Sequence, residues 1–230
     1  MPDTGRRVAF DGCVNFRDLG GLPVAGGVVR RGRLYRSDSL HSMTPADLDR
    51  LHDEVGVRTV VDLRMKQEQE EHGPWPGHFR DHVQVLHRPL FSEVQPEWTK
   101  ESSWATPRSG AERYLDFLEA GLDVVAQVVR ELGDPATTPA VMHCHSGRDR
   151  TGIVVAVVLD LLGVDRDVIG ADYAVTGRYV TDFELSPDRV VLLLGLIDER
   201  YGSVREMLEP HGLTDDDVAA LRVALLDPLA

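Results

Sequence analysis

The most constraining feature is a change of pattern between residues 139 and 163. A short apolar run, Pro139 to His143, leads into His143-Cys144-His145-Ser146-Gly147-Arg148-Asp149-Arg150-Thr151-Gly152, and an apolar stretch follows from Ile153. The first run reads as a buried strand. The second poses a conflict. Ile153, Val154, Val155, Val157 and Val158 are β-branched and favour strand by propensity, yet Leu159 to Leu162 with Gly163 extend the segment to a helical length and close it. We expect a central helix buried on nearly every side, with tertiary context outweighing propensity. A strand, a glycine-bearing loop and a helix start, in that order, make a concave anion site, because loop amides and helix dipole point to one place.

Further strands are expected at Val57–Leu63, Val83–Leu86 and Val28–Tyr35, with turn residues at Asn15 to Gly21 and Ala25 to Gly27. Thr44-Pro45 with Asp47 reads as a helix start that Gly56 closes. Tyr114, Leu118, Leu122, Val125, Val129 and Leu132 recur at helical spacing and predict one apolar helix ending at Gly133. Ser186-Pro187, the capping box from Ser203 to Glu206, and Thr214 with three aspartates start later helices. The class is α/β: a central, mainly parallel sheet flanked by helices, with a helical C-terminal third and residues 1–230 as a single domain. Ser92 to Gly110 is the one segment with the composition of a hinge or lid, and Val190 to Ile197 reads as core or as a cover over the site.

With 25 basic against 38 acidic residues, the net charge of −13 argues against a general nucleic-acid or anionic-membrane partner. The N-terminus leads into no apolar run, and no stretch reaches membrane-spanning length. The expectation is therefore a cytoplasmic chain without membrane insertion, with leaderless secretion the alternative. Nothing in the sequence fixes the oligomeric state. Two cysteines, Cys13 and Cys144, are expected as free thiols.

Cys144 opens the loop, where the amides, the helix dipole and Arg150 favour a thiolate over a thiol. Arg150, six positions on, is far enough for the loop to turn back and offer a planar fork to two phosphate oxygens. A thiolate aimed at phosphorus held this way is arranged for in-line displacement and a phosphocysteine intermediate. His145, Ser146, Gly147 and Arg148 would bind the phosphate, and Thr151 could donate to the sulfur as it leaves. His143 precedes the nucleophile and is expected to orient the loop by bonding to backbone. The bland alternative for Cys144 is a buried structural cysteine.

At these residues the sequence resembles the cysteine-dependent phosphatases of the protein tyrosine phosphatase superfamily, whose signature is His-Cys, five residues, Arg, then Ser or Thr. Gly147-Arg148-Asp149-Arg150-Thr151-Gly152 is similar to the loop of an atypical bacterial group of tyrosine and phosphoinositide phosphatases, with Arg148 in place of its usual Lys. Asn15 to Gly21, Leu34 to Ser37 and Val61 to Arg64 extend the resemblance, and Arg17 and Arg36 belong either to the pocket or to a hairpin tie. The resemblance implies phosphate monoester hydrolysis with no metal or cofactor, on a phosphorylated protein or a phosphoinositide.

The proton donor is left between four carboxylates. Trp75-Pro76 is followed by Gly77, so the Trp-Pro-Asp loop of many relatives is lacking. Within the group the donor would be Asp149, whose flanking arginines argue for an ion pair instead until bound phosphate offsets them. Glu93, Glu97 and Asp62 are rivals. His72, His78, His82 and His87 fit no compact zinc spacing and read as solvated. Two other functions remain open: a phosphate-recognising module without turnover, and a sulfur-transfer or redox thiol protein.

Overall fold

The computed structural model describes residues 5–72, 83–94, 104–180 and 185–228. The strands are β1 (Arg17–Asp18), β2 (Pro23–Val24), β3 (Gly27–Val29), β4 (Leu34–Ser37), β5 (Thr59–Asp62), β6 (Gln84–His87), β7 (Ala140–His143) and β8 (Leu226–Pro228). The helices are α1 (Pro45–Asp53), α2 (Lys66–Glu71), α3 (Pro107–Glu119), α4 (Leu122–Gly133), α5 (Asp149–Leu162), α6 (Arg166–Val175), α7 (Gly177–Val180), α8 (Asp188–Tyr201), α9 (Val204–Leu208) and α10 (Asp215–Leu225). One sheet runs β1-β4-β7-β5-β6, parallel except at the β1 edge, and a small antiparallel sheet runs β2-β3-β8.

Strand periodicity of two sorts the side chains. Register places Tyr35, Val141 and Val60 in one row, buried with Leu48 and Leu51 of α1. Their neighbours Leu34, Ala140, Met142 and Val61 belong to the larger core, with α3, α4, α5, α8 and α10. A row further on, Ser37, His143 and Asp62 stand side by side at the carboxyl ends of the parallel strands. Such a row is where open parallel sheets place their ligands.

The β-branched segment is helical. Every residue from Thr151 to Leu159 is buried in α5, which Gly163 closes in the left-handed conformation. A β-branched residue costs a helix up to about 0.7 kcal/mol, whereas burying a Val, Ile or Leu side chain contributes about 1.5–3 kcal/mol. Burial wins. Thr44 and Thr214 form capping boxes, and the Ser203 hydroxyl accepts from the Glu206 amide.

Two element assignments need correction. Val28–Tyr35 is not one strand: β3 and β4 belong to different sheets, separated by a turn in which Gly32 has φ +69°. The stripe from Tyr114 to Leu132 spans two helices, α3 and α4, broken at Gly121, where an added Cβ would lie 2.1 Å from the Leu90 carbonyl oxygen. The apolar spacing crosses the break unchanged, so periodicity alone does not report it. The loop-like segment also ends earlier than its composition suggests, because Thr106 caps α3 with Pro107 at its first position. Val190, Leu193, Leu194 and Ile197 are buried core in α8. Among the described residues no helix is long and apolar enough to cross a membrane.

Candidate active site

Cys144 sits directly after β7 and is 1% exposed, and the loop reaches α5 at Asp149. Four consecutive loop carbonyls are each held from outside. The Cys144 oxygen lies 3.0 Å from His143 Nδ1, and the His145 oxygen accepts from the Ser39 amide at 2.9 Å. The Ser146 oxygen accepts from Asn15 Nδ2 at 3.4 Å, and the Gly147 oxygen from Arg36 Nη2 at 2.8 Å. In a trans peptide the N–H points opposite to the preceding carbonyl. Turning these four oxygens outward therefore turns the amides of His145, Ser146, Gly147 and Arg148 toward the concave side. Gly147 lets the loop close: φ is +67°, and a Cβ there would meet the Ser37 carbonyl oxygen at 2.2 Å.

Arg150 is oriented by a residue that the sequence reading missed. Glu68 of α2 accepts both terminal nitrogens of its guanidinium, Nη2 to Oε1 at 2.7 Å and Nη1 to Oε2. The Phe91 ring lies beneath, 5.6 Å from Cζ. Burial opposes the Arg150 charge, but the Glu68 hydrogen bonds and the nearby Cys144 and Glu68 charges outweigh it and hold Arg150 firmly cationic. Burial likewise opposes the Glu68 charge, and Arg150 brings that carboxyl below its ordinary value. Glu68 lies in a polar helix, Lys-Gln-Glu-Gln-Glu-Glu, whose composition carries no mark of a buried partner.

Asp149 lies at the first position of α5. Arg148 holds it through Nε at 3.0 Å and Nη2 at 2.9 Å, and the buried Tyr114 hydroxyl donates to Oδ1 at 2.5 Å. Tyr114 in turn meets the Tyr173 hydroxyl at 2.7 Å. Thus the arginine ion pair expected for Asp149 is made with Arg148, and it leaves Asp149 on the loop, one residue before Arg150.

Asp62 is committed elsewhere. It receives the Arg64 amide and guanidinium at 2.8–3.2 Å and Gln69 Nε2 at 2.8 Å. Burial would raise its carboxyl, but His143, Arg64 and Gln69 outweigh that and keep it well below the carboxylate range. Asp62 is a structural anchor beneath the loop, so it is removed from the donor candidates. His143 stands 3.7 Å from it; burial lowers the imidazole below its ordinary value against the pull of Asp62, and Nδ1 bonds the Cys144 carbonyl.

The remaining candidates separate clearly. Glu93 is exposed after β6, and Glu97 lies outside the described residues, as do His78 and His82. Thr151 is fully buried, yet its hydroxyl makes no hydrogen bond, so the expected bond to the Cys144 sulfur is not formed. His87, half-buried, bonds the Arg64 carbonyl at 2.8 Å.

Arg17 and Arg36 divide the two roles left open for them. Both are buried and both bond Asp172 of α6, Arg17 Nε at 3.2 Å and Arg36 Nη1 at 2.9 Å, with Arg6 Nη1 at 2.8 Å on the same carboxylate. Arg17 ties the N-terminal hairpin, burial bringing its pKa down to about 10. Arg36 also reaches the loop, through Gly147.

Comparison with known proteins agrees with this geometry. Residues 8–227 match the tyrosine phosphatase family. The chain is 30% identical over 274 residues to the triple specificity protein phosphatase PtpB of Mycobacterium tuberculosis, covering 94% of this chain and 97% of that protein. A tyrosine-protein phosphatase of Nostoc commune is 28% identical over 145 residues, 63% of this chain and 48% of its own. The core catalytic domain of the PP-IP phosphatase SIW14 from S. cerevisiae shares the fold, with a TM-score of 0.50 at 14% identity over 83% of this chain and 91% of that one. The chain belongs to the tyrosine phosphatase family and is a cysteine-dependent phosphatase.

Proposed function

We propose that this chain, acting as one domain, hydrolyses phosphate monoesters with Cys144 as nucleophile, Arg150 and the loop amides as the phosphate cradle, and Asp149 as proton carrier. The observation that carries this reading is the set of four outward carbonyls, which turns the amides of His145 to Arg148 toward the concave side of the loop that Cys144 opens. Donors fixed before substrate arrives need no reorganisation as charge builds on the equatorial oxygens.

In the first step the Cys144 sulfur forms a bond to phosphorus while the ester P–O bond breaks on the opposite side. The leaving oxygen takes a proton from Asp149. In the second step water attacks the phosphocysteine, its proton passes to Asp149, and the P–S bond breaks to return thiolate and inorganic phosphate. Bound phosphate supplies negative charge that offsets Arg148 and Arg150 on either side of Asp149. The substrate is a phosphorylated protein, as the name of the triple specificity protein phosphatase suggests, or a phosphoinositide, as the resemblance of the loop implies.

The test is hydrolysis of p-nitrophenyl phosphate and of a phenyl phosphate with a poorer leaving group. Cys144→Ser should abolish both while vanadate still binds. Asp149→Asn should slow the poor leaving group about 10²–10⁴-fold and the activated ester much less. Equal slowing of the two esters removes Asp149 from the donor role, and turnover by Cys144→Ser removes the covalent mechanism.

A further inference from the structure

Behind Asp149 lies a buried chain of two phenol hydroxyls. Tyr114 of α3 is fully buried and donates to Asp149 Oδ1 at 2.5 Å, and the buried Tyr173 of α6 brings its own hydroxyl to 2.7 Å from that of Tyr114. The two rings meet edge to face, with centroids 6.2 Å apart. Gly152, the last residue of the loop motif, makes room for the second ring: an added Cβ there would lie 2.9 Å from Tyr173 Cε2. Arg189 of α8 closes the group, its Cζ 5.6 Å from the Tyr114 ring centroid. Helices α3, α6 and α8 thus converge behind the first residue of α5.

The chain has a direction. Tyr114 carries one hydrogen, and an ionised carboxylate only accepts. That hydrogen goes to Oδ1, so Tyr173 donates to the Tyr114 oxygen. Burial, then the Asp149 charge, raises both phenols above their ordinary value, so the pair supplies hydrogen bonds and no protons. Arg148 holds the same carboxylate differently: Nε lies 3.0 Å from both oxygens, and Nη2 lies 2.9 Å from Oδ2. The Arg148 side chain is 27% exposed and that of Asp149 is 21% exposed, so the arginine is able to turn to a bound phosphate while buried Tyr114 stays in place. The two carboxyl oxygens are then no longer equivalent. A proton on Oδ1 would meet the Tyr114 hydrogen, and accepting it would reverse both hydroxyls. Tyr173 would lose the oxygen it donates to, and an unpaired buried donor is costly. A proton on Oδ2 leaves the chain intact.

We propose that Tyr114, backed by Tyr173, is a positioning residue for the proton transfer: it anchors Oδ1 of Asp149 in the core, so that Oδ2 carries the proton to the leaving oxygen. The inference rests on the reading of Asp149 as proton carrier. It gives that carboxyl a fixed orientation, and it gives Gly152 a role in the site as the seat of the Tyr173 ring.

The test measures kcat/KM for phenyl phosphate and for p-nitrophenyl phosphate in the wild type, Tyr114→Phe, Asp149→Ala and the double variant. Tyr114→Phe keeps the ring against Trp104, Phe117 and Tyr173 and removes only the hydroxyl. It should slow phenyl phosphate about tenfold, the scale of one hydrogen bond, and p-nitrophenyl phosphate less than about twofold, because the better leaving group needs the proton less. Vanadate affinity should stay within about twofold, since the loop amides and Arg150 are untouched. In the Asp149→Ala background the same substitution should have no further effect. Tyr173→Phe keeps the Tyr114 bond and loses the donor behind it. It should show the same selectivity at about threefold, and it carries the test should Tyr114→Phe fail to fold. Equal slowing of the two esters by the tyrosine variants, or an undiminished effect in the Asp149→Ala background, overturns the positioning role and leaves Asp149 as proton carrier. Equal slowing of the two esters by Asp149→Ala itself overturns the proton-carrier reading, and the role of Tyr114 with it.

Discussion

Asp172→Asn tests whether buried charge beneath the loop holds its geometry. The Asp172 carboxylate is 2% exposed and receives Arg6, Arg17 and Arg36 at 2.8–3.2 Å. Asparagine keeps the shape but removes the charge, and it turns an NH2 group toward guanidinium donors. Removing one partner of a buried ion pair costs about 3–5 kcal/mol, because the charges left behind are uncompensated. Against a total stability of about 5–15 kcal/mol, that loss lowers Tm by roughly 6–20 °C for a chain of this size. The effect carries a pH signature. Burial pushes the Asp172 carboxyl up, but the three arginines outweigh it and hold it well below the usual carboxylate range. Its folded-state pKa is thus depressed, so its contribution is fully present above the unfolded value of about 3.9 and is lost as pH falls through the folded value. Urea midpoints of wild type and variant at pH 7, 5, 4 and 3 should show a gap that is largest at pH 7 and narrows below about pH 4. Because Arg36 also donates to the Gly147 carbonyl, vanadate affinity should fall as well, measured below the variant's Tm. A gap under about 1 kcal/mol at pH 7, within the range of a surface ion pair, or one constant down to pH 3, would refute the buried-network account.

Glu68→Gln leaves the Arg150 guanidinium without its two-point carboxylate partner. Since misplacing a substrate-holding group by about 1 Å can cost on the order of 10²-fold, kcat/KM for p-nitrophenyl phosphate should fall by about 10–100-fold, and a fall of less than threefold would show that Phe91 and the loop suffice. Gly147→Ala forces a Cβ to within 2.2 Å of the Ser37 carbonyl oxygen at a φ of +67°. Turnover should drop by at least about 100-fold on the same grounds while the far-ultraviolet circular dichroism stays native, and near-normal activity would mean that the loop tolerates displacement from β4.

What the sequence made legible is what neighbouring residues decide. The strand at β7, the helix caps at Thr44, Ser203 and Thr214, and the Cys144-to-Arg150 loop are all written within spans of a few residues. The division of Val28–Tyr35 between two sheets is not local, because β8 at the far end of the chain claims β3. Nor is the break at Gly121, set by the Leu90 carbonyl.

The same division runs through the site. The loop sequence names the sulfur and the guanidinium, but an anion meets peptide dipoles, and their direction is fixed by donors distant in sequence. Asn15 reaches Ser146 across 131 positions and Arg36 reaches Gly147 across 111. Ser39, on the same N-terminal segment, holds the His145 carbonyl. A chain with this loop but without those donors is free to turn one carbonyl inward. There its partial negative charge would oppose a phosphate oxygen, and one favourable amide contact would become a repulsion. The N-terminal hairpin is therefore part of the anion site although it supplies no atom to the chemistry. It acts by deciding which side of each peptide the phosphate sees.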